Sequence, residues 1–265
     1  MNRIEGRFRK LRDSRQKGVV AYIGAGDPTL EATRQLALAF DRAGIDVLEL
    51  GVPFSDPLAD GLVNQLAAQR GLASGTTPPR VLETVTAIRR DSGIPIVLYV
   101  YYNLLHRVGL QHFIRSAATA GVDGLLILDL PPEEADDYER WMRESGLCAI
   151  WLVAPTTPEE RIAQIVGRGS GFIYYVSREG VTGMQTRVAD TIESRVKLIR
   201  AHTSLPIAIG FGISNPEQAR DVAAHGDAVV VGSAIVNRIA ENGSRPDLAE
   251  IVGQFVTTLV EAVRP

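Results

Sequence analysis

Two carboxylates stand where chemistry can be sought. Glu49 is the one charge inside an apolar strand end, Leu48-Glu49-Leu50. Asp60 follows eleven residues later, in Pro53-Phe54-Ser55-Asp56-Pro57-Leu58-Ala59-Asp60-Gly61. A carboxylate at such a strand end faces either a cavity or an ion-pair partner. Partial burial would push its pKa up, which suits a general acid or base near neutral pH. Pro53 and Pro57 stiffen the segment, so it can fold back and bring the second carboxylate near the first. The plainer reading makes Glu49 an ion-paired structural residue and Asp60 a turn former beside Gly61. Spacing alone leaves both open.

A second set of residues suits an anion. Gly210-Phe211-Gly212-Ile213-Ser214 and Gly232-Ser233 each follow an apolar run. Glycines there let backbone N–H groups approach a ligand closely. Ser233 is expected to cap a helix beginning at Ala234. Glycine turns with a helix N-terminus can bind phosphate through the backbone, without a lysine cluster. Tight turns that need no ligand are the alternative. Ser177-Arg178-Glu179-Gly180-Val181-Thr182-Gly183 reads as a lid or as an ordinary surface loop. Tyr22, Tyr101, Tyr174 and Asp129 end other apolar runs. The tyrosines suit a flat aromatic ligand, although each alone is more often a core or rim residue. Cys148, the single cysteine, lies in CAIWLV and reads as a buried strand thiol. His106, His112, His202 and His225 show neither HxxxH nor HxH spacing, so no metal site is expected.

These residues need elements to hold them. Eight short apolar runs recur along the chain: Val19–Gly24, Asp46–Leu50, Pro95–Tyr101, Gly124–Asp129, Cys148–Val153, Phe172–Val176, Pro206–Gly210 and Ala228–Val231. They are apolar almost throughout rather than alternating, as strands covered on both faces are. Stretches with helical spacing separate them. Leu30–Ala43 follows Thr29, Pro131–Ser145 opens on two prolines and two acids, and Thr157-Pro158-Glu159-Glu160 and Asn215-Pro216-Glu217-Gln218 carry the same start signal. The fold class is therefore α/β, a (β/α)8 TIM barrel forming one domain over residues 1–265. Its active site belongs at the C-terminal strand ends, where the residues above fall. An open doubly wound sheet is the rival, but it usually shows GxGxxG after its first strand, and GAGDPTL does not match. Ile4, Phe8 and Leu11 make one stripe of an extra N-terminal helix, expected to cover an end of the barrel. Long connections follow the second and sixth runs, and long loops in a compact domain are usually functional.

Composition sets the limits. Hydrophobic residues make up 45% and charged residues 22% of the 265, enough apolar content for a large core and too much for a disordered chain. A net charge of −3 without like-charge blocks argues against nucleic acid and anionic membranes as partners. No apolar run is long enough to span a membrane, and the basic start lacks the apolar stretch of a secretory signal. A cytoplasmic protein is expected.

The segments LELGVPFSDPLADG, SREGVTG, GFGISNPEQA and VVGSAIV, with AYIGAGDP near the start and YYN after the third run, resemble the tryptophan synthase alpha chain family over essentially the whole length. The resemblance implies cleavage of indole-3-glycerol phosphate into indole and glyceraldehyde 3-phosphate, a retro-aldol step with no cofactor in this chain. It makes Glu49 the acid/base at indole C3 and the side-chain hydroxyl. It makes Asp60 the acceptor of the ring N–H. It places Gly183, Phe211, Gly212, Gly232 and Ser233 at the phosphate, and Tyr22, Tyr101, Asp129, Tyr174 and Thr182 in the indole pocket and lid. It also implies an α2β2 complex whose beta chain holds pyridoxal phosphate and receives indole through a tunnel. Asp56 and Pro57 would lie on the face toward beta, and Thr182 would close against Asp60. Leu62 and Leu104 stand where family members commonly have proline, Tyr22 where many have phenylalanine, and Gly24 where many have threonine. Leu62 is expected to loosen the loop that carries Asp60. The alternatives are a stand-alone lyase, a non-catalytic subunit that activates beta, and another phosphosugar enzyme. The last finds no cysteine, histidine or lysine at a strand end to support it.

Overall fold

The computed structural model describes residues 1–176 and 185–264, with the backbone alone for 185–191. Eight parallel strands pair in sequence order and close on themselves. They are β1 (Gly18–Gly24), β2 (Val47–Gly51), β3 (Ile96–Val100), β4 (Gly124–Ile127), β5 (Cys148–Val153), β6 (Ile173–Val176), β7 (Ile207–Gly210) and β8 (Ala228–Val231). The helices are α1 (Arg3–Asp13), α2 (Leu30–Ala43), α3 (Leu62–Ala73), α4 (Pro78–Ile88), α5 (Tyr102–Val108), α6 (Leu110–Ala120), α7 (Asp136–Glu144), α8 (Glu159–Gly167), α9 (Gln185–His202), α10 (Pro216–Ala223), α11 (Ser233–Asn242) and α12 (Leu248–Val263). The expected barrel forms, and each expected strand lies within two residues of its observed bounds.

Alternation within each strand divides the core in two. Val19, Ala21, Ile23, Leu48 and Leu50 point outward into the layer between strands and helices. Val20, Val47, Val97, Leu126, Ile150 and Phe172 point inward and fill the barrel. Strands buried on both faces read as continuous apolar runs for this reason. Cys148 belongs to the inner set, and burial pushes its thiol up to about 12, so it packs rather than reacts. Ile4, Phe8 and Leu11 of α1 join the inner cluster, with the Phe8 and Phe172 rings 5.4 Å apart. Helix α1 thus plugs the N-terminal end of the barrel and leaves the other end as the mouth. Asn2 starts α1 by accepting from Ile4 N–H, and ties it down by donating to the carbonyls of Asp123 and Gly146.

The closed end is built on one repeated device. Asp46, just before β2, accepts the Val19 N–H of β1 at 2.7 Å. Asp123, before β4, accepts the Ile96 N–H of β3 at 2.8 Å. Ser170 does the same for Ala149 of β5, and Asp227 for Ile207 of β7. Each side chain satisfies a donor that would otherwise be orphaned at a strand start. Arginines neutralise the buried acids. Arg264 meets Asp46, and Arg89 and Arg3 meet the two oxygens of Asp123 at 2.7 and 2.9 Å.

Three local expectations change. Pro131–Ser145 is not one helix but a 3-10 turn, Pro132–Glu134, followed by α7, because the chain turns at buried Ala135. The connection after β2 is a loop over 52–61 followed by two helices, α3 and α4, so only its first part is irregular. The loop after β6, with Thr182 and Gly183, lies outside the described residues. The start signals at Thr29 and Asn215 hold, since their side chains accept from Ala32 and Gln218 N–H. Helix α8 begins one residue after Pro158, and the Thr157 hydroxyl accepts from Ala154 N–H instead.

Asp123→Ala would strand the Arg89 guanidinium, 11% exposed, and the Ile96 N–H. It is expected to lower unfolding free energy by about 3–5 kcal/mol in a urea titration, with no change in activity per folded molecule.

Candidate active site

Glu49 sits on β2 opposite Tyr22 of β1 and Val97 of β3. Inward residues of β2 are Val47, Glu49 and Gly51, so the carboxyl enters the barrel near its mouth. It is 2% exposed, and among the described residues it makes no ion pair. Burial, and secondarily the negative charge of Asp60, push its pKa up to about 8. The ion-paired reading therefore fails for this residue. Near neutral pH it holds a proton it can give away.

Asp60 reaches the same mouth from the 52–61 loop. Tyr99 Oη donates to its Oδ1 at 2.6 Å, and Tyr101 Oη donates to its Oδ2 at 2.8 Å. Asn64 Nδ2 is farther, at 3.5 Å from Oδ1. Tyr101 also accepts the Ala59 N–H at 3.0 Å and stacks on Phe54, with ring centres 5.2 Å apart. The loop leans on that one ring. Leu62, 70% exposed, opens α3 behind Gly61, while Tyr99 and Tyr101 hold the Asp60 carboxylate from the barrel side. Leu104 uses its N–H to reach the Tyr101 carbonyl, a bond that proline could not make.

Tyrosines form the wall between the two acids. Burial first, and the charges of Asp60 and Glu49 next, hold the hydroxyls of Tyr22, Tyr99 and Tyr174 protonated well above the ordinary range. Two strand-end glycines make room for the rings. A Cβ on Gly51 would lie 2.5 Å from Tyr22 Oη, and one on Gly210 would lie 2.6 Å from Tyr174 Oη. Gly24 is less demanding, since a Cβ there would meet Ala67 at an ordinary 3.4 Å. Tyr22, Gly51, Asp60, Tyr99 and Tyr101 enclose a cavity of about 10 Å³, room for roughly one water. A far larger cavity, about 1100 Å³, opens at the plugged end among Asn2, Asp123, Arg143 and Ser170. Chemistry, not volume, marks the site, because no described acid–base pair faces that larger space unneutralised.

The other expected site residues separate. Phe211 buries its ring in the outer core, so it can offer a ligand only its backbone. Gly212 is exposed with φ +62°, a left-handed turn that favours glycine. Ser233 does not cap α11 from outside. It is the first residue of the helix, Gly232 holds the cap position, and no side chain caps there. The Ile235 N–H donates to the Gly232 carbonyl, so the N–H groups of Ser233 and Ala234 are the first-turn donors left for an anion. Asp129 is exposed, and its Oδ1 accepts the Tyr102 N–H at 2.6 Å, which makes it a cap for α5. Asp56 is exposed and Pro57 half-buried, on the outer side of the 52–61 loop. Tyr99 escaped the sequence reading. The signal was its place two residues before Tyr101, on the same strand face. Asn64, whose Oδ1 is buried without a donor, had no such signal.

Among the described residues, no group of three or more histidines, cysteines or acids could hold a metal ion, and no helix is long and apolar enough to cross a membrane. Barrel and mouth together define the class, a (β/α)8 barrel with two acids brought together at the C-terminal ends of its strands. A family profile described as tryptophan synthase alpha chain matches residues 8–262. The chain is 52% identical to the tryptophan synthase alpha chain of Opitutus terrae over 97% of its own length and 98% of the relative's. It is 47% identical to that of Geotalea uraniireducens over 100% and 98%. The crystal structure of tryptophan synthase subunit alpha from Legionella pneumophila superposes with a TM-score of 0.92 at 38% identity, covering 99% and 98%. The chain belongs to the tryptophan synthase alpha chain family and is a lyase of tryptophan biosynthesis.

The raised Glu49 pKa has a sign that can be measured. Below the ordinary 4.5, folded and unfolded carboxyls are both neutral and the group contributes nothing. Between 4.5 and about 8 the unfolded chain ionises while the folded one does not, so stability falls as pH rises, and above 8 the cost is constant. Glu49→Gln is therefore expected to match the parent protein in stability near pH 4.5. Its advantage should widen up to pH 8 and then level off, read from denaturant titrations across pH.

Proposed function

We propose that Glu49 and Asp60 carry the reaction of this family, the cleavage of indole-3-glycerol phosphate into indole and glyceraldehyde 3-phosphate. The observation that carries the reading is Glu49, buried, without an ion pair among the described residues and with its pKa raised to about 8 by burial, beside a second carboxylate held at the same mouth. Glu49 gives its proton to indole C3, which makes the ring a leaving group. The resulting carboxylate takes the proton from the side-chain hydroxyl as the C3–carbon bond breaks, and the aldehyde forms. Asp60 accepts the ring N–H and stabilises the positive charge that develops on it. Tyr22, Tyr101 and Tyr174 wall the ring. The backbone at Phe211, Gly212, Gly232 and Ser233, with the N-terminus of α11, receives the phosphate. Thr182 and Gly183 are assigned to the lid and phosphate by resemblance alone. Asp129 acts on the pocket indirectly, by fixing the start of α5 next to Tyr101.

These steps use proton transfers only and call on no cofactor in this chain. The chain works with a tryptophan synthase beta chain, to which the pyridoxal phosphate is assigned, in an α2β2 assembly that receives the indole. Asp56 and Pro57 face that partner. Leu58 beside them is 89% exposed, and Leu62, Leu66 and Val108 are also exposed, an apolar rim suited to being covered. The assigned compartment is the cytoplasm.

Indole release from indole-3-glycerol phosphate, with the beta chain present, tests the residue roles. Glu49→Gln is expected to lose about 10²–10⁴-fold in kcat, and Asp60→Asn at least about tenfold. In the parent, kcat/KM should fall about tenfold per pH unit above 8, as Glu49 loses its proton. Parental rates in both variants would remove the assignment.

A further inference from the structure

Two tyrosines hold Asp60, and they differ in what holds them. Tyr101 lies past the end of β3, and its hydroxyl also takes the Ala59 N–H, so it belongs to the loop it supports. Tyr99 lies within β3, opposite Gly51 in register. Its ring meets the Tyr22 ring edge-on, with centres 5.1 Å apart and planes at 69°. Tyr22 is seated in turn where Gly51 has no side chain. Tyr99 is thus a fixed post on the barrel wall, and its hydroxyl is the shorter donor to Asp60, at 2.6 Å. That length is typical of a hydroxyl bonded to an ionised carboxylate.

We propose that Tyr99 is a positioning residue for the lyase reaction: its hydroxyl, donating to Asp60 Oδ1, fixes the plane of that carboxylate so that a free lone pair meets the ring N–H of the substrate. A carboxylate offers about four acceptor sites, so two tyrosine bonds leave room for the substrate's donor. One bond on each oxygen stops rotation about the bond that carries the carboxylate. Without Tyr99, Oδ1 keeps among the described residues only Asn64 at 3.5 Å, and the group can turn. Charge builds on the ring nitrogen in the transition state, so a misdirected Asp60 costs rate more than binding. The proposal rests on Asp60 being the acceptor of the ring N–H.

The test is a double-mutant cycle on indole-3-glycerol phosphate cleavage, in the complex with the beta chain, with Tyr99→Phe, Asp60→Asn and both together. Tyr99→Phe keeps the ring and removes only the hydroxyl. It is expected to lower kcat about tenfold with KM within about threefold of the parent. Added to Asp60→Asn, it should change kcat less than about twofold, because its target is already gone. A loss of packing would instead appear equally in both backgrounds and would overturn the proposal, as would a parental kcat for Tyr99→Phe beside a slow Asp60→Asn. A parental rate for Asp60→Asn alone would overturn this proposal and the role of Asp60 together.

Discussion

Glu49 is taken out of water with no cation to meet it among the described residues, and the arrangement of the mouth follows from that. A buried carboxyl without a partner keeps its proton, since ionising it in a poorly solvated place is costly. A lysine or arginine within reach would draw the proton off and turn the group into a structural ion. The neighbours are instead tyrosines, whose hydroxyls stay neutral under the same burial and the same negative charges. Asp60 is set apart by its bonds. Two hydroxyls satisfy it from the barrel side, while Glu49 has none among the described residues. Two like groups in unlike surroundings are how one site separates a proton donor from a fixed negative charge.

Such a mouth is destabilising near neutral pH, and the other end of the barrel offsets it. There the acids are paired and bonded. Asp46 and Asp123 each meet an arginine and a strand N–H, and α1 closes the barrel with Ile4, Phe8 and Leu11. The ends of one sheet thus treat carboxylates in opposite ways. At the plugged end, charge is neutralised and holds strands in register. At the mouth, no described cation compensates it. The large cavity near Asn2 and Asp123 lies on the neutralised side.

Glu49→Gln stability and Glu49→Gln rate report on the same feature, and that feature was visible in the sequence. One acid within a doubly apolar strand end can only enter the barrel or find an ion pair, and strand order decides which. The eight runs were legible because strands covered on both faces contain little else but apolar residues. The N-terminal plug was legible from three residues at helical spacing. Contacts set by tertiary packing were not legible. Nothing local tells that Tyr99 reaches Asp60, that Gly51 and Gly210 exist to seat Tyr22 and Tyr174, or that Asp129 caps α5 across a strand end. Ser233 shows the limit in miniature. Its type suits a helix cap, but the strand exit places Gly232 there, and the serine becomes the first helical residue. The Pro131–Ser145 stretch failed for a related reason, because burial of Ala135 interrupts a pattern that is helical throughout.

The cavity of about 10 Å³ is lined by Tyr22, Gly51, Pro57, Asp60, Tyr99 and Tyr101 and by neither Glu49 nor Tyr174, so it is a gap beneath the 52–61 loop rather than the space for a bicyclic ring. Lifting the 52–61 loop would break the bonds of Tyr99 and Tyr101 to the Asp60 carboxylate and the bond from the Ala59 N–H to Tyr101. Bonds of these kinds are worth about 0.5–3 kcal/mol each, and together they hold the lowered loop. Substrate offers replacements, a ring N–H for Asp60 and an aromatic face for Tyr101. On the proposed interface, a beta chain seated on Asp56, Pro57 and exposed Leu58 would bear on the outside of the same loop. Any difference in its grip on the lifted and lowered loop therefore shifts the population that admits substrate. Tyr99 is outside that motion, anchored in β3 and against Tyr22, and so marks the place to which Asp60 returns.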